Sequence, residues 1–232
     1  MRIAVLANSF IPAFKIYEEL QGIPDCVFFI VVSSSRRRGS LISMAANLTR
    51  IVISSIATPS WKPLQLYLGR KVLLVPKPLD HPDSLSLLRR LQLDVGLHKS
   101  GIIYREKTIK CFRLGILNPH IGILPAYRGR SVMEWSLIQN DPIGISVFFI
   151  DAGIDTGSRI IVTDEVNISQ CTSIVDAKQY LFDLAGPFFR KAVAKLQANE
   201  PDYGINDGSG RRYYVMSKLF QDVVQQILLK RN

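Results

Sequence analysis

Asn118-Pro119-His120 falls where a buried apolar run, Gly115-Ile116-Leu117, gives way to polar residues. In an extended chain, residues two apart project to the same side, so one amide and one imidazole would face a common space. The amide can aim an N–H donor at a developing oxyanion. The imidazole, which titrates near ~6.5 when free, can take a proton from an attacking group. A second polar cluster, Asp151-Ala152-Gly153-Ile154-Asp155-Thr156-Gly157, follows another apolar run and supplies carboxylates that could orient a histidine or pass a proton. Taken singly, each has a plainer reading: a histidine in a hydrogen-bonded turn, an asparagine opening a turn before proline, aspartates capping a loop. His81, between Asp80 and Pro82, reads as a surface-turn residue.

The elements that must carry these residues alternate between strand and helix. Ile3 to Ala7, Val27 to Val32, Val72 to Val75 and Asp94 to Leu97 read as buried strands. Helices are expected from Pro12 to about Leu20 and from Ser84 to Leu91. Strands apolar on both faces and separated by helices indicate an open, mostly parallel α/β sheet covered by helices on both faces. Ligands of such sheets gather beyond the carboxyl ends of the strands. From Gly115 onward the expectation is a strand ending at Asn118 and a turn-rich loop from Pro119 to Arg130. A helix over Val132 to Ile138 and strands at Ile143 to Ile150 and Arg159 to Val162 should follow. Thr172 to Gln197 reads as mostly helical with a kink at Gly186-Pro187, and Ser217 to Leu229 as a last helix. Residues 1–200 are expected to form the catalytic domain, with 201–232 appended to it as a short C-terminal hairpin and helix.

Between Ser33 and Arg70 the pattern is less ordinary. A basic loop, Arg36-Arg37-Arg38, precedes Leu41, Met44, Leu48, Ile51, Val52 and Ile56 at roughly helical spacing. A helix packed on the sheet is the favoured reading, and contact with an anionic membrane or a docked partner is the other.

Composition narrows the class. The 232 residues are 47% hydrophobic and 21% charged, a globular balance with enough chain for a sizeable core. The 29 Lys+Arg against 19 Asp+Glu give +10, which favours an anionic small molecule, RNA or membrane partner without choosing among them. Basic residues do not interleave with aromatics at any RNA-binding spacing, so a nucleic-acid partner is not expected. Cys26, Cys111 and Cys171 show neither disulfide nor metal spacing, so free thiols, a cytoplasmic setting and no metal are expected. The opening apolar run is too short for a signal peptide, and no run reaches the ~18 uncharged apolar residues of a membrane span.

In combination, Asn118, His120, Leu124-Pro125-Ala126-Tyr127-Arg128-Gly129 and Asp151 through Gly157 resemble the folate-dependent formyltransferases. That family's pattern is Asn-x-His, a Leu-Leu-Pro-like hinge, Tyr-Arg-Gly, a helix with Trp, and Asp-x-Gly-x-Asp-Thr-Gly. Trp135 and Gly144-Ile145-Ser146-Val147 also fall in order, and the resemblance is strong from about Leu114 to Ile161. It implies transfer of the formyl group of the co-substrate 10-formyltetrahydrofolate to a primary amine, with Asn118, His120 and Asp155 as the catalytic set. Asn118 would meet the oxyanion of a tetrahedral intermediate and His120 would take the amine's proton. Asp155 would orient the imidazole or relay a proton.

The same resemblance implies a folate held by two segments, Leu97, His98, Lys99, Ser100, Gly101 and Ile102 in one and Asp151, Ala152 and Gly153 in the other. His98 and Lys99 would meet an anionic group or be solvated. Gly122 stands where some relatives have Ser.

The chain is shorter than the methionyl-tRNA formyltransferases, which carry a further barrel domain. Tyr127 to Trp135 and Gly210 to Met216 look most like the amino-sugar group. The expected acceptor is therefore an anionic nucleotide-linked amino sugar, whose phosphates Arg211 or Arg212 could contact. Transfer to a peptide, amino-acid side chain or other natural-product amine stays open. Two remoter alternatives are a deformylase and a non-catalytic membrane-surface scaffold. The final helix, with Val223, Val224, Ile227 and Leu228, could support a homodimer or pack on its own core.

Overall fold

The computed structural model describes residues 1–33, 41–57, 61–99, 101–151, 153, 155–199 and 203–231. Contacts divide the chain into two compact units, Met1–Leu117 and Asn118–Asn232.

The first unit is a parallel sheet with its helices. Strands β1 (Arg2–Ala7), β2 (Val27–Ser33), β3 (Val72–Val75), β4 (Leu93–Lys99) and β5 (Phe112–Ile121) stand in the order β3-β2-β1-β4-β5. Each neighbouring pair is parallel, with Leu6 opposite Val31 on one side and His98 on the other. Ile3, Val5, Leu6, Val95 and Leu97 are fully buried, as strands covered on both faces require. Helices α1 (Phe10–Leu20), α2 (Leu41–Ala57), α3 (Lys62–Leu68), α4 (Pro82–Arg90) and α5 (Glu106–Ile109) connect them. His81 is the N-cap of α4, where its Nδ1 accepts the Asp83 N–H at 3.2 Å.

Helix α2 exists where the periodicity places it, but with its faces exchanged. Of the apolar residues that set the period, Ile51 is buried while Leu48, Val52 and Ile56 are exposed. The buried face carries Asn47 and Ser55 instead. Both have work there: Asn47 Oδ1 accepts the Phe10 N–H, and Ser55 Oγ donates to Ile51 O and accepts from Leu64 N. The basic stretch Arg36–Arg38 lies outside the described residues.

The second unit continues β5 past Leu117 and adds β6 (Tyr127–Gly129), α6 (Val132–Gln139), β7 (Gly144–Phe149) and β8 (Arg159–Glu165). Helices α7 (Ile174–Asp183) and α8 (Ala185–Gln197), strands β9 (Gly204–Ile205) and β10 (Arg211–Tyr213), and helix α9 (Lys218–Arg231) complete it. β7, β8 and β9 run antiparallel in that order. With four parallel pairs in the first unit, the whole is the open, mostly parallel α/β fold that the alternation implies. All six residues of β7 are buried, so this strand is covered on both faces.

Three expectations are corrected. β5 runs past Asn118 to Ile121, so Pro119 and His120 are strand rather than loop. The α7–α8 break falls at Leu184, placing Gly186-Pro187 in the first turn of α8, where proline costs no hydrogen bond. Among the described residues no C-terminal hairpin forms. β9 pairs with β8, while β10 pairs in parallel with β6 (Arg211 opposite Tyr127, Tyr213 opposite Gly129). The segment between β9 and β10 therefore works as a crossover, which a local turn signal cannot distinguish from a hairpin. Helix α9 packs on α6 and α7 through Val224 and Leu228, both buried, with Val223 outward.

Candidate active site

Asn118 and His120 share one side of β5, because strand side chains alternate. The His120 ring is buried, with Phe148 edge-on at 6.4 Å between centroids. Its Nε2 lies 2.8 Å from the Tyr127 carbonyl oxygen. A carbonyl has no proton to give, so Nε2 carries the hydrogen and donates it. That assignment leaves Nδ1 as the basic nitrogen of the neutral ring.

Nδ1 faces Asp155, whose Oδ2 is 3.6 Å away. This is ion-pair range but longer than a hydrogen bond, so Nδ1 is oriented toward the carboxylate without being tied to it. Asp155 is held by two hydrogen bonds. Its Oδ2 accepts the Gly129 N–H at 2.9 Å, and its carbonyl accepts Asn206 Nδ2 at 3.0 Å. Its backbone is left-handed, φ 51°, a conformation that aspartate tolerates better than most residues. Gly129 has φ 103°, and a Cβ there would stand 2.2 Å from the Tyr213 carbonyl oxygen, so only glycine can present that amide.

Tyr127-Arg128-Gly129 thus acts as a support. Tyr127 stacks on Tyr213 at 5.1 Å, and Trp135 closes on Tyr213 at 5.6 Å while donating Nε1–H to Tyr214 O. The Tyr127 hydroxyl donates to Asp141. Burial, followed by that hydrogen bond, pushes the phenol well above its ordinary range, so it stays a neutral donor. Arg128 Nε donates to Gly210 O at 3.0 Å. Beneath the turn after β5, fully buried Ser146 donates to Gly122 O at 2.8 Å and accepts Leu124 N at 3.0 Å.

Asp151 caps its own loop. Its Oδ1 accepts the Gly153 N–H at 2.8 Å and the Thr156 hydroxyl at 2.7 Å. Ala152, Ile154 and Ser100 lie outside the described residues. Leu97, His98 and Lys99 form the carboxyl end of β4, with Gly101 and Ile102 just after it. Leu97 is fully buried. His98 Nδ1 is 2.8 Å from the Tyr104 hydroxyl, and the rings meet edge-on at 5.3 Å. Burial, reinforced by the Lys99 charge, lowers its pKa to about 4, so His98 is neutral at pH 7. Arg211 and Arg212 are exposed and lie over Tyr213 and Tyr214.

The sequence reading missed Asn206. It is buried, anchored by its own N–H to Ser158 O, and its Oδ1 has no hydrogen-bond partner. A lone asparagine 51 residues after Asp155 gives no local signal.

Methionyl-tRNA formyltransferase of Synechococcus elongatus is 31% identical over 147 residues, covering 62% of this chain and 41% of that protein. That of Ruminiclostridium cellulolyticum is 33% identical over 108 residues, covering 46% and 34%. The chain thus matches about two fifths or less of the length of these curated relatives. Among solved structures, a 4-N formyltransferase from Francisella tularensis superposes with a TM-score of 0.63 at 16% identity, over 99% of this chain and 86% of that one. A formyltransferase from Anoxybacillus kamchatkensis, in complex with UDP-4,6-dideoxy-4-formamido-L-AltNAc and tetrahydrofolate, gives 0.55 at 15% identity over the whole of both chains. At such identities the likeness is one of fold. The formyl transferase profile, however, matches residues 26–193, well over half of the chain, and the chain belongs to the formyl transferase family.

Proposed function

We propose that the chain is an N-formyltransferase moving the formyl group of 10-formyltetrahydrofolate to a primary amine, with a nucleotide-linked amino sugar as the favoured acceptor. The observation that carries this reading is the His120–Asp155 pair, in which Nε2 is spent on the Tyr127 carbonyl and Nδ1 is left as the base. An amide donor, an unprotonated imidazole nitrogen and a carboxylate are the donor set that acyl transfer from a formyl donor requires, so the residues fit the co-substrate. When bound, the folate supplies an activated formyl carbon.

The chain's own groups do the rest. Asn118 directs its side-chain N–H at the oxygen on which charge develops. His120 Nδ1 takes the proton that the attacking amine must lose. Asp155, fixed by the Gly129 amide and by Asn206, stabilises the resulting imidazolium and can relay a proton toward the leaving nitrogen. Folate binding is assigned to Leu97, His98, Lys99, Ser100, Gly101 and Ile102, and to Asp151, Ala152 and Gly153. Residues 1–200 are assigned to the catalytic domain, with 201–232 appended.

The sugar acceptor is supported by the Anoxybacillus complex, whose bound sugar carries a formamido group on a UDP, and by exposed Arg211 and Arg212 as phosphate partners. A second reading, the amine of an aminoacyl-tRNA, is favoured by the curated relatives. The test is turnover with 10-formyltetrahydrofolate and a panel of amines, namely nucleotide-linked amino sugars, charged tRNA and amino acids. We expect formylation of a nucleotide-linked sugar, lost in His120→Ala and Asp155→Ala. Turnover surviving in either variant overturns the mechanism, and turnover only on charged tRNA overturns the sugar.

A further inference from the structure

The exchanged faces of α2 have a consequence independent of the catalytic reading. Leu48, Val52, Ile56 and Ile53 follow one another around an arc of about 140° of the helix surface at 3.6 residues per turn. All four are exposed, Ile53 and Ile56 by 59% and 67%. Helix α3, packed on α2, adds exposed Trp61 and Leu68. A helix that buries Asn47 and Ser55 while turning four large aliphatic side chains outward has its hydrophobic stripe facing away from its own core.

The stretch of chain that carries this stripe is one-sided in charge. Residues 26–79 contain eight Lys+Arg and not one Asp or Glu, so this stretch carries eight of the ten net positive charges. Arg50, Lys62, Arg70 and Lys71 lie on α2, on α3 or immediately after α3. Arg50 meets Asn47, Lys62 meets Gln21 and the Tyr17 ring, and Lys71 lies over the Phe29 ring, all of them uncharged groups. Three more cations, Arg36 to Arg38, lie outside the described residues, and the surface stands without them.

We propose that the outer face of α2 and α3 docks on an anionic lipid surface. Exposed aliphatic side chains with Trp61 can enter the boundary between headgroups and acyl chains while the surrounding cations meet lipid phosphates. A second copy of the chain is the wrong occupant, because face-to-face pairing would bring the same cations of two copies together. Single-stranded nucleic acid is also disfavoured, because the face is mainly aliphatic and, among the described residues of α2 and α3 and the turn between them, Trp61 is the one exposed aromatic for base stacking. No helix among the described residues is long and apolar enough to cross a membrane, so the contact is peripheral.

Co-sedimentation of the full chain with vesicles of phosphatidylcholine, with and without phosphatidylserine, tests the proposal. Binding is expected only with phosphatidylserine and should weaken with added salt. Ile53→Ser/Ile56→Ser should lower partitioning about tenfold or more. Arg70→Gln should lower it about fivefold. All these positions are exposed, so the variants should fold, which circular dichroism and thermal unfolding check. Absence of binding, binding equal with and without phosphatidylserine, or binding unchanged in the isoleucine variant overturns the proposal. A dimer in analytical ultracentrifugation that the isoleucine variant disperses also overturns it, in favour of a second copy.

Discussion

Acidification should weaken the first unit through one residue, His98. Its side chain is half-buried at the end of β4 against Tyr104, and burial, with Lys99 beside it, lowers its pKa to about 4 from a free value near 6.5. A depressed histidine is held neutral by the fold, so the unfolded chain takes up the proton first as pH falls. Stability is therefore complete above pH ~6.5 and is drained as pH falls toward about 4. The full displacement corresponds to ~3 kcal/mol, of which ~2 kcal/mol is lost between pH 7 and pH 5. His98→Gln keeps a polar group near the Tyr104 hydroxyl but removes the titration. Urea unfolding of both proteins at pH 7 and pH 5 isolates the effect, since the difference of differences cancels the carboxylates, which titrate alike in both. A wild-type loss no larger than that of the variant would refute the reasoning, because it would mean that His98 accepts its proton in the fold as readily as in the unfolded chain.

Further outcomes concern the second unit. Asn118→Ala should lower kcat by about 100-fold or more with a small change in folate affinity, measured by steady-state kinetics and calorimetry. A larger change in affinity than in kcat would make Asn118 a binding residue. Asn206→Ala removes the donor to the Asp155 carbonyl and should reduce kcat more than it changes KM. An unchanged kcat would show that Asp155 holds its place by the Gly129 amide alone. Ser146→Ala strips partners from Gly122 O and Leu124 N in a fully buried setting, and ~2–4 kcal/mol of stability should be lost in denaturant titration. A loss under ~0.5 kcal/mol would mean that the turn finds other partners.

Much of the site was legible because its residues are bound by short-range rules. Asn118 and His120 share a face by the alternation of a strand, a consequence of spacing alone. The parallel sheet was legible for a similar reason, since uninterrupted apolar runs such as Ala4 to Ala7 leave no face for water. Asn206 was not legible, because its bond to Asp155 spans 51 residues and nothing local marks its partner. The exposed stripe of α2 was misread as a packed face, because periodicity reports that a helix has two faces and not which one meets the core.

The sequence by itself determined the strand and helix alternation, the residue types able to perform acyl transfer, and the acid-free basic stretch. Tertiary structure decided three things that depend on distant atoms meeting. It set which imidazole nitrogen is the base, through the Tyr127 carbonyl. It set where β10 pairs, beside β6 rather than β9. It also set which way α2 turns, through the Phe10 and Leu64 amides that Asn47 and Ser55 satisfy. Each is a hydrogen-bonding requirement between chain segments remote in sequence, and a buried polar group left unpaired costs more than a local preference can offset.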